Sequence, residues 1–301
     1  MIKLNENYGK LPGSYLFAEI ARRTATYSEL NPDKRLIKLG VGDVTLPLPA
    51  ACVEALKAAA DEMGRKESFM GYGPYEGYDF LREAIVKNDY APRGARITAD
   101  EIFVSDGAKS DCGNIGDIFS EDNIVAVCDP VYPVYIDANA MSGRAGDWDG
   151  GKWTKIVYMP CTAENGFFPE LPKTVPDMIY LCFPNNPTGA MVSKAELQKW
   201  VDYANKVGAI ILYDAAYEAY ISEKDIPHSI YECEGARTCA IEMRSFSKNA
   251  GFTGMRLGFT VIPKDIKSGD VTLHSLWARR HGTKYNLSLI HISEPTRLGM
   301  I

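Results

Sequence analysis

The sequence predicts an α/β fold in which a mostly parallel central sheet is covered by helices on both faces. Two observations carry that reading. Between Thr98 and Ile262, apolar runs of strand length alternate with helical patterns, as expected of parallel strands buried from both sides. Five polar clusters then fall where those runs end: Gly107-Ala108-Lys109, Asp129 to Tyr132, Asn185 to Gly189, Asp214 to Tyr217 and Ser245 to Lys248. In such sheets ligands bind outside the carboxyl ends of the strands. With 301 residues, 46% of them hydrophobic and 24% charged, the chain can bury the core this fold needs.

Taken in order, residues 1–44 read as a separate, smaller part. They carry a helical pattern from Ile20 to Leu30 and a strand from Arg35 to Leu39 that runs into Gly40-Val41-Gly42-Asp43. Glycines at a strand end either let backbone approach a ligand or make a plain turn. Helices are expected over Ala50 to Glu62 and Tyr78 to Tyr90. The loop between them, Tyr72-Gly73-Pro74-Tyr75-Glu76-Gly77, is too rich in Gly and Pro for either regular structure. It reads as a contact surface or a packed turn.

The expected strands are Ile102 to Ser105, Ile124 to Cys128, Lys155 to Met159, Met178 to Phe183, Ile210 to Tyr213, Cys239 to Met243 and Leu257 to Ile262. Helices are expected from about Lys109, after Pro133, and over Lys194 to Lys206. The last is opened by the capping-box pattern Ser193-x-x-Glu196. Residues 45–286 form the large domain in this reading. Leu287 to Ile301 lose the alternation, resemble translated adapter or vector sequence, and are set aside.

A net charge of -6 without a long Lys/Arg run argues against nucleic acid or an anionic membrane and leaves a small molecule as the expected ligand. Seven cysteines form no C-x-x-C pair, and most lie in apolar runs such as those of Cys128 and Cys182. They read as reduced core thiols and hence a cytoplasmic setting. Four scattered histidines make a His-based metal site unexpected. Neither a signal-peptide pattern nor a membrane-length apolar run occurs.

The chemistry concentrates in Ser245-Phe-Ser247-Lys248-Asn-Ala-Gly-Phe-Thr-Gly-Met-Arg256. Burial beside other cations lowers a lysine pKa from about 10.4 toward neutrality, which frees the amine for a Schiff base. Ser245, Ser247 and Arg256 offer hydroxyl donors and a bidentate clamp for a phosphate. These are what pyridoxal phosphate requires of a protein. A Gly-rich surface loop with a solvated lysine is the alternative reading of the stretch alone.

Two other segments strengthen the cofactor reading. Asn186, in Asn185-Asn186-Pro187-Thr188-Gly189, is presented at a strand mouth. Asp214 ends the apolar run Ile210 to Tyr213. A buried carboxylate there needs a cationic partner, which a pyridinium N–H supplies. Tyr217 is placed to reach the same phenolate oxygen as Asn186, Tyr132 offers a flat face for the ring, and Ala108 and Lys109 open a helix toward the phosphate.

With Asp214, Lys248 34 positions on and Arg256 eight further, the chain resembles the fold-type I pyridoxal-phosphate aminotransferases up to Asn286. The diaminopimelate branch of that family is the narrower resemblance. It rests on Asn7-Tyr8-Gly-Lys-Leu-Pro-Gly-Ser-Tyr15-Leu-Phe, Gly40-Val-Gly42-Asp-Val-Thr, Gly71-Tyr72-Gly-Pro-Tyr-Glu-Gly-Tyr, Ser105-Asp-Gly-Ala108-Lys109-Ser-Asp, Asp129-Pro-Val-Tyr132-Pro-Val-Tyr and Phe183-Pro-Asn-Asn186-Pro-Thr-Gly.

The resemblance implies transamination in lysine biosynthesis through pyridoxal 5'-phosphate, with aspartate, alanine or aromatic amino acids as the alternative substrates. It implies that Lys248 forms the Schiff base and moves the proton. Asp214 holds the ring nitrogen, and Asn186 and Tyr217 hold the phenolate oxygen. Tyr132 stacks on the ring, and Ala108, Lys109, Ser245, Ser247 and Arg256 hold phosphate. Substrate contacts fall to Tyr15, Gly42, Lys109, Tyr132, Asn186 and Asn286, with Tyr72 and Asn286 supplied across a homodimer interface. Charge complementarity adds Glu76 as a candidate partner for a distal ammonium. Family members continue into a C-terminal part that completes the small domain and carries an arginine for the substrate carboxylate. The expectation here is therefore an incomplete small domain, no such role for Arg297, and weak cofactor binding and turnover.

Overall fold

In a computed structural model the described residues are 2–11, 13, 15–37 and 42–285. Helices α1 (Leu16–Leu30) and α2 (Ala50–Met63) precede α3 (Asp79–Ile85), which continues as one π-helical turn, Val86–Tyr90. Strand β1 (Ile102–Ser105) leads into α4 (Ala108–Asn114), and β2 (Val125–Asp129) into α5 (Pro133–Met141). A short hairpin, β3 (Trp148–Asp149) and β4 (Lys152–Trp153), precedes β5 (Ile156–Pro160). Then come β6 (Met178–Cys182), α6 (Lys194–Val207), β7 (Ile210–Asp214), β8 (Ala240–Ser245), α7 (Phe246–Asn249) and β9 (Gly258–Val261). A second hairpin, β10 (Lys267–Ser268) and β11 (Val271–Thr272), leads into α8 (Leu273–Lys284).

Among the described residues the main sheet has the order β1-β9-β8-β7-β6-β2-β5. Strands β5, β2, β6, β7 and β8 pair in parallel, while β9 is antiparallel to both β8 and β1. Reversing twice turns β1 back along the parallel strands. The carboxyl ends of β1, β2, β6, β7 and β8 therefore open on one edge of the sheet, which is where the five polar clusters sit.

Successive side chains of a strand face opposite sides, and both sides are buried here. Ile179, Leu181, Ile211 and Tyr213 join Leu81 and Ile85 of α3 and Leu197, Trp200, Val201 and Ala204 of α6 in one core. Met178, Tyr180, Cys182 and Leu212 join Cys112 of α4, Tyr135 of α5 and Trp277 of α8 in the other. Helix α6 shows how the sequence sets its own limits. Its buried residues recur at helical spacing, the Ser193 hydroxyl accepts from Glu196 N–H, and Gly208 ends it at φ 76°. Truncating a fully buried residue such as Leu212 or Leu197 is worth about 2–5 kcal/mol. Among the described residues no helix is long and apolar enough to cross a membrane.

Three local expectations need correction. Residues Arg35 to Ile37 are irregular rather than a strand and pair with no strand among the described residues; Lys38 to Val41 lie outside the described residues. The helix expected over Tyr78 to Tyr90 is α-helical only to Ile85. The capping box at α6 is half formed, because the Glu196 carboxylate pairs with Lys199 at 2.6 Å instead of reaching back. Helix α1, by contrast with α6, buries none of its residues, and Glu19 bonds to both Arg22 and Arg23 on its surface.

Candidate active site

Asp214 ends β7 at the centre of the sheet and is only 6% exposed. Its Oδ2 accepts the Tyr135 hydroxyl at 2.6 Å and the Cys112 thiol at 3.7 Å, and its Oδ1 accepts Ala216 N–H at 3.0 Å. All three donors are neutral. Burial pushes the Asp214 carboxyl above its usual range, with the bonds from Tyr135, Ala216 and Cys112 opposing. The cationic partner expected from the sequence is not found on the protein among the described residues. A buried carboxylate lacking a counter-ion is costly to leave so, which marks the place where a ligand's positive charge fits.

Strand β8 turns into α7 at Ser245, whose hydroxyl caps that short helix by accepting Ser247 N–H at 3.1 Å. The turn lifts Lys248 over the carboxyl end of the sheet. Its Nζ donates to the Gly42 carbonyl at 2.5 Å and lies 5.7 Å from the centre of the Tyr217 ring. Gly42 and Lys248, 206 residues apart, thus meet.

The residues expected to hold phosphate are brought together by close backbone approach. Arg256, at φ 65°, donates from Nη1 to the Ser247 hydroxyl at 3.2 Å and to the Thr253 carbonyl at 3.0 Å. At Gly107, which has φ 124°, an added Cβ would come within 2.4 Å of Arg256 Nη2. At Gly258 it would lie 2.7 Å from Gly107 Cα and 3.0 Å from the Ala108 nitrogen. These two glycines let the α4 turn, with its first-turn amides at Ala108 and Lys109, close against the guanidinium and the Ser245 and Ser247 hydroxyls.

Around these lie the remaining predicted residues. Asn186, just past β6, points its Nδ2 to the Tyr217 hydroxyl at 3.3 Å, so the two polar groups converge. Tyr132 caps α5 and sets its ring edge-on to Tyr135, 5.6 Å between centres at 80°. Lys109 holds its Nζ 4.6 Å above the Tyr15 ring, and both line a groove of about 820 Å³ beside Tyr8 and Asp137. Tyr72 stands apart, 92% exposed in the same loop as Tyr75. Glu76 is partly buried, and its carbonyl accepts Val104 N–H at 2.8 Å, joining that loop to β1. Asn286 and residues 287–301, with Arg297, lie outside the described residues.

Sequence reasoning missed the groups that hold Asp214. Tyr135 and Cys112 are each 1% exposed. Tyr135 follows Tyr132 by three residues across the Pro133 helix start, a spacing that returns to the same side and was the available signal. A second buried carboxylate, Asp111 on α4, also has no cation beside it among the described residues. It takes the Ser105 hydroxyl at 2.6 Å and the Tyr285 hydroxyl at 3.2 Å, and burial pushes it up to about 7.

The chain matches the family described as aminotransferase class I and II over residues 34–277. It is 71% identical to the LL-diaminopimelate aminotransferase of Lachnospira eligens over 288 residues, spanning 95% of this chain and 71% of that protein. Against the enzyme of the same name from Bacteroides fragilis it is 58% identical over 293 residues, 95% of this chain and 72% of the relative. Among solved structures, the L,L-diaminopimelate aminotransferase of Chlamydomonas reinhardtii superposes with a TM-score of 0.91 at 45% identity, covering 99% of this chain and 75% of that one.

Proposed function

The chain belongs to the class I and II aminotransferases, and from that premise we propose that it is a transaminase of lysine biosynthesis that uses pyridoxal 5'-phosphate bound at Lys248. The reaction interconverts LL-2,6-diaminopimelate and 2-oxoglutarate with tetrahydrodipicolinate and glutamate. The observation that carries the reading is Asp214, a buried carboxylate with neutral donors and no protein cation, on the same sheet edge as Lys248.

The cofactor, when bound, supplies a carbonyl for the amine and a ring that draws electrons from the substrate Cα. Lys248 Nζ would hold the cofactor carbonyl carbon, and as a free amine it would act as the base that carries the proton between the substrate Cα and that carbon. Asp214 would hold the ring nitrogen and favour its protonated form. Asn186 Nδ2 and the Tyr217 hydroxyl, 3.3 Å apart, would hold the phenolate oxygen, and Tyr132 would pack on the ring. Gly107, Ala108, Lys109, Ser245, Ser247 and Arg256 hold the phosphate dianion. Tyr15, Gly42 and the Lys109 ammonium orient substrate at the mouth.

A homodimer is part of the proposal. Phe69, Tyr72 and Tyr75 are 63%, 92% and 56% exposed on one loop, a cluster of aromatic surface that a second copy would cover. The lack of any buried residue in α1 supports assigning residues 1–44 to a small domain beside the large one of 45–286. The seven cysteines are free and buried, which supports a reducing, cytoplasmic setting.

The test is the visible absorption of the protein with pyridoxal phosphate before and after LL-2,6-diaminopimelate, with Lys248→Ala as control. A visible band that requires Lys248 and bleaches on adding the amino acid is the expected result. Absence of any Lys248-dependent band would sink the site. A band that answers aspartate, alanine or phenylalanine in preference would overturn the substrate.

A further inference from the structure

We propose that Tyr135 is a positioning residue for Asp214: its hydroxyl fixes which carboxylate oxygen faces the ring nitrogen and keeps that carboxylate ionised. The inference rests on the reading of Asp214 as the ring-nitrogen partner.

The geometry supports it in three steps. First, Tyr135 is held from all sides. Its ring stacks on Tyr180 at 4.9 Å and 17° and meets Tyr132 edge-on at 5.6 Å. One turn along α5, Asn139 Nδ2 donates to the Tyr135 carbonyl at 2.7 Å and to the Tyr180 hydroxyl at 3.2 Å, while Asn139 Oδ1 accepts Arg144 Nε at 2.6 Å. A buried tyrosine hydroxyl requires a partner, and from this fixed ring the partner is Asp214 Oδ2.

Second, the acceptor capacity of the carboxylate is divided unevenly. Each carboxylate oxygen accepts about two hydrogen bonds. Among the described residues Oδ2 has two, from Tyr135 and Cys112, and Oδ1 has one, from Ala216. The remaining position is on Oδ1. Tyr135 thus touches both Asp214, which faces the ring nitrogen, and Tyr132, which faces the ring plane.

Third, among the described residues no other charge faces this carboxylate. The titratable groups around it are Cys112 on α4, Tyr132 and Tyr135 on α5, Cys182 on β6 and Tyr217 after β7, and burial pushes each of them up and keeps it neutral. A hydrogen bond to an ionised acceptor stabilises the charged form, so the Tyr135 hydroxyl is the strongest neutral donor opposing the burial of Asp214.

The test compares Tyr135→Phe, which preserves the ring, in wild-type and Asp214→Asn backgrounds, with Tyr180→Phe as a control one layer behind. Pyridoxal phosphate affinity is expected to weaken about tenfold in Tyr135→Phe, the size of one hydrogen bond to a charged group. The loss should stay under about twofold in the Asp214→Asn background and in Tyr180→Phe. Without cofactor, the difference in Tm between wild type and Tyr135→Phe should be larger at high pH, where Asp214 is ionised, than at low pH, where it is protonated, and should stay flat in the Asp214→Asn background. A purely structural tyrosine would shift Tm equally at both pH values and in both backgrounds, and that result overturns the inference, as does unchanged affinity. Failure of wild type itself to bind pyridoxal phosphate through Lys248 would instead sink the functional reading. The cofactor-free comparison still decides the Tyr135–Asp214 coupling.

Discussion

Two carboxylates sit side by side on neighbouring strands of the sheet, and the protein treats them differently. Asp214 ends β7, and Glu242 lies in β8 opposite Tyr213, one position out of step. That offset sends them to opposite faces. Glu242, on the face of α3 and α6, accepts the Tyr90 hydroxyl and the Ser229 hydroxyl, both at 2.7 Å, and Ile230 N–H at 2.9 Å. It also faces a cation, Arg244 Nη1, at 3.3 Å. Arg244 extends the network to Glu218 at 2.9 Å, which in turn meets His228 Nδ1 at 2.8 Å. Asp214, on the face of α4 and α5, has comparable hydrogen bonds and no cation. The difference teaches that hydrogen bonds alone complete neither carboxylate. On the face of α3 and α6 the chain supplies the positive charge; beside Asp214, among the described residues, it supplies none.

The most disruptive way to break the comparison is Arg244→Met, which leaves Glu242 buried without its cation and Glu218 with only Arg93 at 3.8 Å and His228 at 2.8 Å. Removing one partner of a buried pair costs about 3–5 kcal/mol. Urea denaturation should show a loss of that order, and a loss below about 1 kcal/mol would mean the cation is not what completes Glu242.

Asp111 sharpens the comparison because among the described residues it, like Asp214, is buried with no cation beside it, and it lies within α4 rather than at a strand end. Its folded pKa of about 7 lies above the ordinary value of 3.8. Such a group gives stability that is fully present below about pH 3.8 and is lost as pH rises through about 7. At 1.36 kcal/mol per unit the change has a ceiling of about 4 kcal/mol. Cofactor-free protein should therefore lose stability between pH 4 and pH 7. Asp111→Asn should flatten that profile, and an unaltered slope in the variant would show that Asp111 does not carry it.

How much of this was legible in the sequence follows the same division. The strands that read best are those buried on both faces, such as Ile210 to Tyr213, because an unbroken apolar run has one physical explanation. Asp214 was legible because it interrupts such a run, and Lys248 because hydroxyls and glycines flank it. The Arg244 network, which also takes in Asp89 at 3.5 Å, was not, since Asp89, Glu218, His228 and Glu242 come from four segments and singly read as solvated charges. Tyr135 was hidden for a related reason: a tyrosine in a helix looks like core until its hydroxyl is seen to end on a carboxylate. The strand expected at Arg35 failed because extended backbone needs a neighbour to pair with, and local sequence does not report one.

The account turns on Asp214 being incomplete without a ligand's positive charge, and thermal unfolding of wild type and Asp214→Asn at pH 8, each with and without pyridoxal phosphate, tests it most directly. The expected result is a crossover. Without cofactor, Asp214→Asn is as stable as wild type or more so, because a buried unpaired charge is gone. With cofactor it gains about 1.5–3 kcal/mol less than wild type does. An Asp214→Asn protein that is less stable without cofactor, and that gains as much as wild type on binding it, would contradict the account.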